Sequence, residues 1–174
     1  MGIFVLDPKD PPSLPPELQA DIEAMTDEER EQNALDDPDN PPPTTALRSG
    51  GPQSLVSWES LGHQGRNFVA GGPTVNELSE FNGSPATEPI RTYAGLNSAA
   101  GIKATAALAA GVLRRTGGLD RDVVAVATTT GTGWINEAEA SSLEYMYNGN
   151  SAIVSMEYSF LPSWISFVVD QEKA

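Results

Sequence analysis

The sequence predicts an α/β protein: a partial, doubly wound, mostly parallel sheet preceded by an acidic amino-terminal tail. Three observations carry that expectation. Composition changes sharply near residue 53, where proline- and acid-rich text gives way to alternating apolar and helical segments. The β-branched run "DVVAVATT" (122–129) is apolar on both faces and short, the pattern of a buried parallel strand. Strand, helix and strand then follow one another between residues 122 and 159, a βαβ unit whose crossover is expected to be right-handed.

Residues 1–52 hold most of the prolines ("DPPSLPPE", "DDPDNPPPTT") and many of the acids. Such text buries too little apolar surface to offset the ordering entropy, roughly 1–2 kcal/mol per residue, so a disordered tail is expected. Within it, Leu18, Ile22 and Met25 recur at helical spacing, which suggests a short amphipathic helix. The folded part is expected to span residues 53–174.

The segment "SLVSWESLGHQGRNFV" reads as a turn followed by a short helix. In "PTVNELSEFNG", Thr74 as N-cap, Glu77 three residues on and Gly83 past the end make a capping box with a glycine stop. "PIRTYAGL" (89–96) is a short strand. Asn97 is read as the cap of an alanine-rich helix that ends with Arg114, Arg115 and a glycine pair. After "DVVAVATT", Asn136 and Glu139 cap a helix carrying Leu143, Tyr145 and Met146, and "SAIVSMEYS" (151–159) is the next strand. Three or four strands with as many helices amount to half of a doubly wound sheet. The last segment, Phe160 to Val169, is strongly apolar with no later strand to cover it, which marks a surface for a partner.

Charge and composition exclude several functions. A net charge of −14 repels phosphate, so no nucleic-acid partner is expected. There is no cysteine, hence no disulfide or thiolate metal site, and a single histidine builds no convincing metal centre. No cofactor is expected. The start lacks the basic and apolar regions of a signal peptide, and no apolar run nears the roughly 20 residues of a membrane span. A cytoplasmic location is the default expectation.

The chemically suggestive feature is "ATTTGTGWI" (127–135), at the carboxyl end of a strand, where open α/β sheets bind ligands. A phosphate loop would need a third glycine or a Gly-Lys-Ser/Thr ending, and this turn has neither. An oxyanion hole suits it better: glycine lets backbone N–H groups approach a developing negative charge. The candidates are Thr130, Gly131, Thr132 and Gly133, with Thr130 and Gly131 favoured by position; a turn without chemistry is the alternative. "WESLG" (58–62) resembles a nucleophile elbow, but Trp58 stands where the first glycine belongs, so Ser60 is not taken as a nucleophile. His63 is read as a surface or capping residue, and Arg66 and Arg91 as partners of nearby acids. Trp134, Tyr158 and Trp164 are candidates for substrate contact or lid packing. No catalytic residue is assigned.

The stretches "LGHQGRNFVAGGPT", "EPIRTYAGLNSA", "LRRTGGLDRDVVAVATTTGTGWI" and "LEYMYNGNSAIVSMEYSFLPSWISFVVD" together resemble an actinobacterial α/β-hydrolase family often described as predicted membrane proteins. The resemblance covers residues 53–174 and implies an α/β-hydrolase-like half domain. In that family the T-x-T-G-T-G-W turn and the Y-S-[YF]-L-P-S-W segment precede the strand bearing G-E-S-x-G, with the acid and histidine later still. What carries over is the turn Thr128 to Trp134 and the segment Tyr158 to Trp164. The resemblance therefore implies the amino-terminal part of an esterase-like serine hydrolase, inactive alone, whose partner is the rest of the hydrolase domain. The alternative is a non-catalytic module that pairs with a second copy of itself.

Overall fold

The computed structural model describes residues 16–17, 19–21, 23–25 and 40–160. Between 16 and 25 the described residues are helical, and Gln19 Nε2 donates to Glu23 Oε1 one turn on at 3.5 Å. Of the apolar triad expected there, Met25 is half-buried; Leu18 and Ile22 lie outside the described residues.

The sheet has three parallel strands: β1 (Ile90–Ala94), β2 (Val123–Val126) and β3 (Ser151–Met156), in the order β1-β3-β2. Among the described residues from 40 to 160, four α-helices accompany them: α1 (Gly62–Ala70), α2 (Val75–Asn82), α3 (Ile102–Arg115) and α4 (Glu137–Met146). The α/β, doubly wound expectation holds. The crossover through α3 runs from one edge of the sheet to the other, and that through α4 runs back to the middle. Connections of one hand then place α3 and α4 on opposite faces.

Register settles what each face carries. Arg91 stands beside Ile153 and Ala125, and Tyr93 beside Ser155. This face meets α1, through Phe68 and Gly65, and α4, through Glu144. The other face presents Thr92, Ala152, Val154, Val124 and Val126, and α3 lies against β1 and β3. Leu61, Val69, Ile90, Tyr93, Val112 and Ile153 form the centre of the core.

Two expectations change here. "DVVAV" is the more apolar strand and reads as the buried one, yet β2 is an edge strand among the described residues. Val126 is 81% exposed, while β3 is buried through its first five residues. The reason is connectivity: returning through α4, the chain inserts β3 between its predecessors, and that placement outranks composition. The helix after β1 also starts later than Asn97. Residues Leu96–Ser98 form a 3-10 turn, and α3 begins at Ile102 after Gly101, whose φ of 84° suits glycine.

The capping signals match the geometry closely. Thr74 Oγ1 accepts from Glu77 N–H while the Glu77 carboxylate accepts from Thr74 N–H, and Gly83 terminates α2 in the left-handed conformation. Asn136 Oδ1 accepts from Ala138 and Glu139 at the start of α4. Residues ahead of position 53 also pack beside the sheet. Residues 40–52 lie along the outer edge of β1: Arg48 bridges to Arg91, Ser49 N–H donates to the Arg91 carbonyl at 3.2 Å, and Tyr93 N–H donates to the buried Ser49 hydroxyl at 2.8 Å. Of the apolar terminal segment only Phe160 is described.

Candidate functional site

The carboxyl ends of the three strands converge on one polar cluster. From β2 the chain enters the glycine turn, which closes on itself. Thr130 N–H donates to the Trp134 carbonyl at 3.0 Å, Gly133 N–H to the Thr130 carbonyl at 3.0 Å, and Trp134 N–H to Thr130 Oγ1 at 3.3 Å. The Thr130 and Thr132 hydroxyls are 3.3 Å apart. Gly131 and Gly133 are buried, Thr130 and Trp134 exposed, and Thr132 lies between. The turn is stitched to β3 by Thr129 Oγ1, which donates to the Met156 carbonyl at 3.1 Å, and by Ser155 Oγ, which donates to the Ala127 carbonyl at 2.7 Å.

Beneath the turn lie two residues that the sequence reading did not single out. Tyr93, from the middle of β1, is fully buried, and its hydroxyl donates to the Gly133 carbonyl at 2.9 Å. Burial, reinforced by the nearby Glu157 carboxylate, pushes this phenol well above its ordinary range. Glu157, just past β3 and 5% exposed, accepts from Leu96 N–H at 3.1 Å, so the exit of β1 is tied to the exit of β3.

The candidate residues enter the hydrogen bonding of the turn differently: the Thr130 N–H and that of Gly133 are engaged in closing it. The Thr132 N–H is not among the closing bonds. Tyr158 is half-buried next to Glu157, and Trp164 lies outside the described residues.

Ser60 and His63 do not form a nucleophile–base pair. Ser60 sits in a 3-10 turn, its hydroxyl donating to the Ser57 carbonyl at 3.0 Å and lying 3.0 Å from the Ser98 hydroxyl. The His63 ring, in α1, bonds the Asn67 side chain at 3.0 Å.

Arg91 does pair with acids, but in the interior. Its guanidinium is fully buried and bonded to both Glu144 oxygens at 2.7 and 2.8 Å, to Glu137 at 2.8 Å and to the Phe68 carbonyl at 2.9 Å, with the Phe68 ring 4.9 Å away. Burial alone would lower this guanidinium; the two carboxylates reverse that and raise it. Glu137, Ser141 and Glu144 recur at helical spacing, a polar stripe legible in the sequence and not used there. Arg66 is also buried.

A groove of about 420 Å³ lies at the opposite, amino end of β1, between Pro41–Pro43 and the Val69–Thr74 loop. Arg48 at its wall already donates to the Val69 and Gly71 carbonyls. Ligands of open α/β sheets sit at the carboxyl ends, so the turn is the stronger candidate. Among the described residues no cluster of acids and histidine is arranged to hold a metal ion, and no helix is long and apolar enough to cross a membrane.

A parallel sheet with helices on both faces and a glycine turn at its carboxyl edge defines an open α/β fold. The alpha/beta-hydrolase family matches residues 90–174, and the alpha/beta-hydrolase family N-terminus matches residues 18–73. The chain belongs to this α/β-hydrolase family. Neither the curated proteins nor the solved structures gave a significant match.

Proposed function

We propose that this chain supplies the amino-terminal part of an esterase-type serine hydrolase domain, that its 130–134 turn borders the oxyanion, and that it is inert by itself. The observation that carries the reading is the closed glycine turn at the carboxyl edge of β2 in a chain of this family. A tetrahedral intermediate there would be met by the Gly131 or Thr132 N–H, since those of Thr130 and Gly133 hold the turn shut. Inertness is supported by Ser60 and His63, whose polar atoms are bonded within their own neighbourhoods. Hydrolysis would need a nucleophile, acid and base presented against this edge by further residues, and β2, an edge strand with Val124 and Val126 exposed, is where more sheet would be added.

A fluorophosphonate probe tests this directly. The purified chain should remain unlabelled and should not turn over short-chain nitrophenyl esters. Labelling that disappears in Ser60→Ala would overturn the reading. The same exposed face of β2 also suits a non-catalytic module that pairs with its own copy. Sedimentation velocity separates the two, since a tight dimer that stays unlabelled favours the module.

A further inference from the structure

The polar cluster under the glycine turn contains a device for which the core has no need. Tyr93 crosses the interior so closely that a Cβ on Gly65 of α1 would lie 2.5 Å from its ring. A phenylalanine would fill that space without a polar atom to satisfy. A buried hydroxyl costs free energy unless it finds an acceptor, and the acceptor it finds is a carbonyl of the turn, Gly133, at 2.9 Å. Gly133 has a φ of 86°, and a Cβ there would collide with the Tyr93 hydroxyl and lie 3.1 Å from Glu157 Cγ. Only a residue without a side chain lets the hydroxyl and the carbonyl meet. Glu157 closes the arrangement from behind, its N–H donating to the Ala94 carbonyl at 2.9 Å and its carboxylate accepting from Leu96 N–H at 3.1 Å. The exits of all three strands thus meet at one point.

The geometry points to Tyr93 as a positioning residue that latches Gly133, with Glu157 as its backing, so that the 130–134 turn is held in a single conformation before any ligand arrives. That the turn borders an oxyanion rests on the function proposed above; that it is latched does not. A preformed turn needs no reorganisation when charge develops beside it, which is what makes backbone donors effective.

Amide hydrogen exchange of the full chain, followed by NMR, tests the latch. In Tyr93→Phe, exchange at Thr130 and Gly133 should quicken about fivefold, as expected for loss of one neutral hydrogen bond, while amides of α2 keep their rates. A uniform rise across the chain, or no rise at the turn, overturns the proposal. In a double-mutant cycle, Gly133→Ala should slow refolding or speed turn exchange less in the Tyr93→Phe background, because the hydroxyl no longer occupies the Cβ position; strictly additive effects overturn the contact. None of these readouts uses hydrolysis. A latched turn in a chain that never yields an esterase would sink the functional reading alone.

Discussion

Removing the charge of Glu144 is the perturbation whose size the structure predicts most directly. Glu144 and Arg91 both have 0% side-chain exposure, and the carboxylate takes two guanidinium N–H bonds at 2.7 and 2.8 Å. Glu144→Gln retains the shape but leaves one oxygen to accept and aims an amide NH2 at a guanidinium nitrogen. Charge-assisted bonds contribute roughly 1.5–3 kcal/mol each, and breaking one side of a buried pair costs about 3–5 kcal/mol. Arg91 keeps Glu137, which is half-exposed, and the Phe68 carbonyl, so about 3 kcal/mol is expected for Glu144→Gln. Arg91→Met, which leaves Glu144 uncompensated, should cost about 4 kcal/mol. The double variant Arg91→Met with Glu144→Gln removes both charges and should recover most of that loss, giving a coupling of at least about 2 kcal/mol. Urea unfolding followed by far-ultraviolet circular dichroism, with constant slopes as the two-state check, measures all four corners. A cost below about 1 kcal/mol for Glu144→Gln, or an additive double variant, would refute the claim that this pair is a coupled element of the core.

Three further outcomes are expected. Gly65→Ala should destabilise by about 1–3 kcal/mol in thermal unfolding, although alanine is the better helix former, because the new Cβ would lie 2.5 Å from the Tyr93 ring; a raised melting temperature would contradict the packing described. Thr74→Ala should cost about 1 kcal/mol through loss of the N-cap. Bonds from the Thr74 N–H and hydroxyl hold the Glu77 carboxyl below its usual range, so this support is present at neutral pH and lost as pH falls through that depressed value. The difference between wild type and variant should therefore narrow in acid, and a constant difference would count against the capping box. Burial, then the Glu157 charge, keeps the Tyr93 phenol protonated well above its ordinary value of 10.0. The unfolded chain releases that proton first, so stability should fall as pH rises past about 10. Tyr93→Phe should show a shallower alkaline decline, and an equal slope would exclude Tyr93 as its source.

Local signals in the sequence translated well into local structure. The Thr74–Glu77 box, the Gly83 stop and the Asn136 cap each depend on side chains within three residues of the backbone they satisfy, so their geometry is written in order along the chain. The α/β class followed for the same reason, since strand and helix periods are local. Failures came where distant segments decide. Asn97 has cap chemistry, but the chain leaving β1 first makes a 3-10 turn pinned by distant residues, Leu96 N–H donating to the Glu157 carboxylate at 3.1 Å and Ser98 Oγ to the Ser60 carbonyl at 3.2 Å.

What the sequence determined alone was therefore the set of elements, the Thr74 and Asn136 caps and the placement of a glycine turn after a strand. Strand order was decided only in three dimensions. An apolar run states how much surface a strand can bury, not which neighbours it receives, and return through α4 placed β3 rather than β2 in the middle. The hydrogen bonding of the turn was likewise decided by tertiary structure. Whether the Thr130 N–H faces a ligand or closes a loop depends on where the Trp134 carbonyl lies, and whether Gly133 is held depends on a tyrosine 40 residues away in sequence. The buried guanidinium of Arg91 makes the same point. Its identity is in the sequence, but only the packing of α1 and α4 on its face of the sheet turns it from a surface charge into a fixed part of the core.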